Sequence, residues 1–284
     1  MATTGSSVRV RSLSKVFEPP KGKPVHALDG IDLEVAPGSF TCLVGPTGCG
    51  KTTLLRIVAG LEPPSGGEVE VGGTPVVGPR PGSGMVFQQY SLFPWRSVLD
   101  NVAFGLEVRG IAKQERYARS RELLEMVGLA GFDRARPYEL SGGMQQRVAI
   151  ARSLATDPEL LLMDEPFGAL DERTRQRLQD ELLDVWKKTG KTVLFVTHNI
   201  DEAVYLGERV VALADRPSRI ADDFEVGIKR PRDRVAPEFV EALLRVRAVL
   251  ERVMQQSGPV ETGPVKGGQD EERPDTGGRS CCGR

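Results

Sequence analysis

Hydrophobic positions along the chain switch between two periods. Val8 to Phe17 alternates apolar and polar residues like a strand with one wet face, and Ala27 to Val35 alternates again, with Leu28, Ile31, Leu33 and Val35 apolar. A Pro/Lys/Gly turn from Pro19 to Pro24 separates them, and His26, placed in that turn, reads as structural. The pair predicts a small antiparallel β layer at the N-terminus. Four runs are short and apolar, Phe40–Val44, Gly84–Phe87, Leu160–Met163 and Val193–Val196, and predict buried strands. Glu68 to Gly73 predicts a short strand and turn. Helical spacing covers Leu54–Ala59, Val98–Glu107, Lys113–Val127, Arg147–Ala155 and Glu172–Lys188, the last with Leu178, Leu182, Val185 and Trp186 on one stripe. Arg209–Ala214 and Arg219–Phe224 predict two closing strands. Phe239, Leu243, Val246, Leu250 and Val253 then predict a docking helix. From about Gln256 the chain turns to Gly, Pro and charge and is expected to be disordered. Buried strands alternating with helices make this an α/β chain.

The run Phe40–Val44 leads directly into Gly45-Pro46-Thr47-Gly48-Cys49-Gly50-Lys51-Thr52-Thr53, which fits G-x-x-x-x-G-K-[ST] in full. A strand before it and a helix after it supply the context in which this pattern is a phosphate loop. Glycines let the backbone curl so that its N–H groups face phosphate oxygens, and the helix starting near Gly50 adds its positive end. Lys51 is placed to reach the β- and γ-phosphates, and Thr52 to offer a hydroxyl to Mg²⁺. The loop alone does not choose between kinases, GTPases, helicases and transport ATPases.

Further features mark chemistry. Leu160–Met163 ends in Asp164-Glu165, two acids at a strand end where burial is costly unless they meet a cation or a proton-transfer task. Asp164 is placed to hold the Mg²⁺ shell and Glu165 to act as general base for an attacking water. Val193–Val196 ends in Thr197-His198, and Gly84–Phe87 in Gln88-Gln89, so both present polar residues at the strand edge where open α/β sheets bind ligands. In Leu140-Ser141-Gly142-Gly143-Met144-Gln145-Gln146-Arg147, Ser141 is an N-cap candidate and the glycines expose backbone N–H groups, a second anion-binding geometry. Phe17, on the β layer, is either a ring for stacking a base or a half-buried strand residue.

Bulk properties narrow the field. With 38 basic and 39 acidic residues among 284, the net charge of −1 gives no electrostatic case for nucleic-acid binding. No apolar run approaches the roughly 18–20 residues that span a bilayer, and Met1 to Ser7 lacks a signal pattern. Cys42, Cys49, Cys281 and Cys282 form no disulfide or zinc framework, which fits a reducing, cytoplasmic setting. A GTPase would need Asn-Lys-x-Asp, which is absent.

The phosphate loop, Gln88, the Leu140–Arg147 run, Asp164-Glu165 and His198, in that order over residues 8 to 255, resemble an ATP-binding cassette (ABC) transporter ATPase. The resemblance implies a P-loop NTPase with a RecA-like core, an N-terminal antiparallel β layer and a helical subdomain. The expected division is 8–225 for the ATP-binding domain, with the helical part about 90–158, then 226–255 as a helical extension and 256–284 as a tail. It also implies roles. Phe17 matches the base-stacking aromatic, residues Gly45 to Thr53 the nucleotide-binding loop, and Thr52, Gln88 and Asp164 the Mg²⁺ shell. Glu165, His198 and Gln88 match the hydrolytic residues. Ser141, Gly142, Gly143 and Gln145 match the signature that closes on the ATP of an opposite cassette, and Asp171 matches the D-loop. Leu92-Phe93-Pro94-Trp95 after the glutamine is similar to importers of nitrate, sulfonate, taurine and related small anions. Expected partners are a second cassette, membrane permease subunits at the cytoplasmic face of the membrane and, indirectly, an extracytoplasmic solute-binding protein. Within transport the alternative is an exporter, or an importer of another solute class. A DNA-repair relative would carry a long coiled-coil insertion between Lys51 and Ser141, and a translation-type relative two cassettes.

Overall fold

The continuous apolar runs become the interior strands of one sheet, and the alternating runs become a second sheet laid over it. The computed structural model describes residues 5–168 and 170–256. Cys281, Cys282, the tail from 257 onward and Ala169 lie outside the described residues. In chain order the strands are β1 (Val8–Phe17), β2 (Val25–Val35), β3 (Phe40–Val44), β4 (Gly66–Val71), β5 (Thr74–Pro75), β6 (Ser83–Val86), β7 (Leu160–Asp164), β8 (Thr192–Val196), β9 (Arg209–Leu213) and β10 (Ile220–Glu225). The helices are α1 (Lys51–Val58), α2 (Val98–Val108), α3 (Lys113–Met126), α4 (Gly142–Ala155), α5 (Glu172–Thr189), α6 (Ile200–Leu206) and α7 (Pro237–Gln256).

The larger sheet has the order β10-β9-β3-β8-β7-β6. Its β6, β7, β8, β3 and β9 run parallel, and β10 closes the edge antiparallel to β9. Every residue of β3, β7 and β8 is buried. That is why these strands lack alternation: both of their faces meet apolar layers. The smaller sheet, β2-β1-β4-β5, is antiparallel, and its buried positions (Val8, Val10, Ile31, Leu33, Val35) face the larger sheet across α1. Leu54, Leu55, Ile57 and Val58 of α1 are buried in that shared core. On the other face, α5, α6 and α7 cover the larger sheet with Leu178, Leu182, Val204 and Phe239. Helices α2, α3 and α4 enclose a third cluster with Val102, Leu106, Leu124 and Val148 at its centre.

Five expectations change in detail. The β layer has four strands rather than two, because β4 adds to the free edge of β1 and β5 pairs with β4. His26 lies within β2, opposite Val16, and not in a turn. Helix α4 starts at Gly142 rather than Arg147, because the Ser141 hydroxyl accepts the Met144 N–H at 3.3 Å and caps the first turn. Helix α6 was not foreseen. Its seven residues are too few for a helical period to show, but Asn199 at its N-cap accepts from the Asp201 and Glu202 N–H groups. Finally, α7 includes Gln256, the residue at about which the tail is expected to start.

Candidate functional site

The sheet brings the C-terminal ends of β3, β6, β7 and β8 to one edge, and the residues that follow them carry the chemistry. After β3 the loop from Gly45 to Gly50 turns into α1. Gly48 and Gly50 have φ of 83° and 110°, a backbone that a side chain would strain. A Cβ at Gly50 would also stand 2.9 Å from Leu28 Cδ2 and 3.0 Å from the Ala27 carbonyl. Helix α1 has no side-chain cap at Gly50, so its first N–H groups remain directed at the loop. Lys51 is only 5% exposed, and its ammonium curls back to donate to the carbonyls of Gly45 and Pro46, both at 2.8 Å. Cys49 is buried within the loop and burial pushes its thiol up, so it packs rather than reacts.

Thr52 Oγ1 donates to Asp164 Oδ1 at 3.0 Å and joins the start of α1 to the end of β7. Asp164 is buried, and desolvation together with the neighbouring Glu165 charge pushes its carboxyl above the usual range, against the Thr52 hydrogen bond. A cation among oxygen ligands would offset that burial. Glu165, next in sequence, is held at φ 44° with its N–H on the Val196 carbonyl at 2.9 Å. A non-glycine residue in this left-handed region stores strain, which is tolerated where surrounding bonds fix it. The turn aims its carboxylate across the sheet edge, where Oε2 lies 3.0 Å from His198 Nδ1 and accepts from Gln88 Nε2 at 3.3 Å. Residues from the ends of three strands thus meet at one carboxylate oxygen. Gln88 and His198 are both exposed, open to a ligand from the solvent side.

Other candidates sit apart. Phe17, at the end of β1, is 38% exposed, and the Lys15 ammonium lies 4.9 Å from its ring centroid. Asp171 caps α5 by accepting the Thr174 N–H at 3.1 Å, and that bond holds its carboxyl below the usual range. Gln145 donates to the Leu140 carbonyl at 3.2 Å. Gly142 packs toward Tyr90 and Gly143 toward Thr174, where a Cβ would meet Cγ2 at 2.8 Å. Among the described residues no hydrogen bond joins the Ser141–Gln145 turn to the phosphate loop of the same chain.

Two neighbours of the site escaped the sequence reading. Arg216 donates through Nε to the Gly48 carbonyl and braces the outer turn of the phosphate loop. It lies more than 160 residues away in sequence, and no local pattern announces the contact. Glu202, buried behind His198, accepts from Thr197 Oγ1 at 2.6 Å. The Asn199–Glu202 capping pattern could have shown the helix, though not this bond.

A parallel sheet with a phosphate loop after one strand, acids after a second and histidine after a third defines a P-loop NTPase. The sequence model of the ABC transporter family matches residues 28–168. An uncharacterized ABC transporter ATP-binding protein of Methanocaldococcus jannaschii is 56% identical over 86% of this chain and 91% of its own length. The taurine import ATP-binding protein of Rhizobium johnstonii is 45% identical over 86% of this chain and 96% of its own. The nitrate import ATP-binding protein of a Synechocystis species is 46% identical over 81% and 86%. A solved dimeric bacterial ABC transporter cassette superimposes with a TM-score of 0.69 at 33% identity, covering 77% of this chain and 98% of that one. The same cassette is also solved as a dimer with ADP and phosphate bound, with a TM-score of 0.69 at 32% identity and the same coverage. The chain belongs to the ATP-binding proteins of ABC transporters.

Proposed function

We propose that this chain is the ATP-hydrolysing subunit of an importer for a small anion of the taurine, sulfonate or nitrate type. One observation carries the hydrolytic part: the Glu165 carboxylate, held by its own strained backbone, receives Gln88 and His198 beside the Thr52–Asp164 pair. The import part is supported by the taurine and nitrate import names of relatives that align along most of the chain. Residues 8–225 act as the ATP-binding domain, with a helical part at about 90–158, and 226–255 as an extension.

Lys51 leaves the Gly45 and Pro46 carbonyls for the β- and γ-phosphates, whose charge repays its desolvation better than neutral carbonyls do. The free N–H groups at the start of α1 and the loop backbone bind the same oxygens, and the ring of Phe17 stacks on the base. Thr52, Asp164 and Gln88 are the residues that would hold Mg²⁺, and their hard oxygen donors suit it. Bound there, the ion neutralises charge developing on the phosphates. Glu165 orients and deprotonates the attacking water, and His198 keeps that carboxylate in place. The Ser141–Gly143 turn lies free of its own phosphate loop and serves the ATP of a second cassette, so that two chains close on two nucleotides. Asp171 stands at the turn beside that contact.

A cavity of about 580 Å³ between the β6 edge and α2, lined by Leu61, Phe87, Phe93 and Phe104, supports docking of a permease segment. Trp95 stands 71% exposed beside it, with Phe93 partly buried against Phe104. No helix among the described residues is long and apolar enough to cross a membrane, so the chain reaches the membrane by binding permease subunits at its cytoplasmic face, with an extracytoplasmic solute-binding protein as the indirect partner. The test is uptake by vesicles carrying the cassette, its permease and its binding protein. ATP-dependent accumulation of taurine, a sulfonate or nitrate is expected. ATP-dependent extrusion, or accumulation only of an uncharged solute, would overturn the import reading.

A further inference from the structure

Behind the hydrolytic corner lies a buried polar cluster to which none of the roles above is assigned. Glu202, Thr197 and Gln179 are at most 3% exposed. Thr197 Oγ1 donates to Glu202 Oε2 at 2.6 Å and accepts the Asn199 N–H at 3.0 Å. The second bond spans His198 from Thr197 to the Asn199 backbone, and the first anchors that bridge to the Glu202 carboxylate. Gln179 Nε2 donates to the other Glu202 oxygen at 3.2 Å. Arg175 faces the same oxygen with Nε at 3.6 Å, too long for a hydrogen bond. Its Nη2 donates to the Leu170 carbonyl at 2.9 Å, and its own N–H reaches the Asp171 carbonyl at 2.9 Å. A cavity of about 20 Å³ separates these groups from Glu165 and His198, room for about one water.

A carboxylate this deep is costly unless it is paired. Burial pushes the Glu202 carboxyl up, against Thr197, Arg175 and Gln179. A glutamine would satisfy Thr197 at lower cost. What only the acid provides is a second acceptor, taken by Gln179, and a buried charge facing Arg175 Nε, while Arg175 Nη1 turns outward to donate to Glu172 Oε2 at 3.2 Å. Arg175 is the residue that grips the Leu170–Asp171 turn.

We infer that Arg175 and Glu202 are positioning residues for hydrolysis, linking the Leu170–Asp171 turn to the Thr197–His198 turn so that His198 and Glu165 stay in register when a second cassette presses on the first. The inference rests on the hydrolytic reading of Glu165 and His198. The pair touches neither the phosphate loop nor the Thr52–Asp164 site. Its loss therefore changes turnover and leaves nucleotide affinity alone.

The test is steady-state ATPase kinetics of the full chain, with thermal melting as a check on folding. Glu202→Gln keeps the Thr197 acceptor and removes the charge together with the Gln179 acceptor, whereas Arg175→Lys leaves both Glu202 acceptors in place. Glu202→Gln is expected to lower kcat by about tenfold to a hundredfold, the scale of a small misplacement of catalytic groups, with KM for ATP within about twofold. Arg175→Ala is expected to match it, and the double variant to be no worse than either single one, as for groups acting through one contact. Arg175→Lys should recover part of the loss, because an ammonium keeps the charge without the planar fork that spans both turns. If Glu202→Gln does not fold, Arg175→Lys carries the test alone, since it leaves Glu202 in place, with reduced kcat at unchanged KM expected. Wild-type kcat in a folded Glu202→Gln or Arg175→Lys protein, or losses that add in the double variant, would overturn the inference. The underlying reading fails separately, if Glu165→Gln itself still turns over at the wild-type rate.

Discussion

The phosphate loop and the hydrolytic corner lie at one sheet edge but are made in opposite ways. The loop is nine consecutive residues, and its shape resides in the backbone: two glycines at positive φ, an uncapped helix start, and a lysine folded onto the loop's own carbonyls. The corner is three side chains from three strand ends, brought to one carboxylate oxygen by the register of β6, β7 and β8. A backbone-built site binds a constant group, phosphate, with little reorganisation. A side-chain-built site can be shifted by moving any one strand end, which suits a step that should run only when a partner is in place.

The contrast predicts that damage to the loop removes binding and turnover together, and damage to the corner removes turnover alone. The largest effect is expected for Lys51→Ala, which takes away the cation proposed to face the β- and γ-phosphates. ATPase activity of the purified variant should fall to background while the melting temperature holds. Glu165→Gln comes next. Its turnover should drop on the order of 10²-fold, as for removal of a general base, while ATP still binds with Lys51, Thr52 and Asp164 intact. A nucleotide-binding titration beside the ATPase assay separates the two variants, and similar ATP affinities for both would break the comparison.

Smaller effects sharpen it. Gly50→Ala places a Cβ against Leu28 and the Ala27 carbonyl at a φ of 110°. It should cost about 2 kcal/mol of stability, read by denaturant unfolding, and weaken nucleotide binding through the backbone alone. Asp100, outside both regions, sharpens the contrast as a control. Burial raises its carboxyl, but hydrogen bonds from Tyr117 at 2.6 Å and Ser97 at 2.7 Å outweigh that and hold it below the usual range. A folded-state value below the unfolded one contributes stability above the ordinary carboxylate range, and that stability is lost as pH falls through it. Asp100→Asn should therefore melt a few degrees lower than the parent near neutral pH. The gap should close below about pH 4, with ATPase activity near that of the parent throughout.

How much of this was legible follows the same divide. The loop could be read in full, because all its residues are contiguous and their types are dictated by local backbone geometry. Asp164, Glu165 and His198 could be placed at strand ends because unbroken apolar runs announce interior strands, and the parallel sheet then gathers their ends. The meeting of Gln88 and His198 on one oxygen of Glu165 could not be read, since it depends on the register of β6, β7 and β8 and on how far each side chain reaches across them, neither of which local pattern gives. Arg216 on the Gly48 carbonyl and Arg175 beside Glu202 are likewise products of tertiary packing. Helix α6 was missed because one turn and a half carries no period, and His26 was misplaced because β2 begins one residue after Pro24.

The central claim is that the Ser141–Gly143 turn, unbonded to its own phosphate loop, completes the site of a second chain. Size-exclusion chromatography of Glu165→Gln tests it most directly, because ATP that cannot be hydrolysed should hold two chains together. A dimer peak is expected with ATP and a monomer peak with ADP. Adding Ser141→Arg, which puts bulk and charge into the opposing anion site, should abolish the dimer without weakening ATP binding to the single chain. A Glu165→Gln protein that binds ATP and stays monomeric at saturating nucleotide would contradict the account.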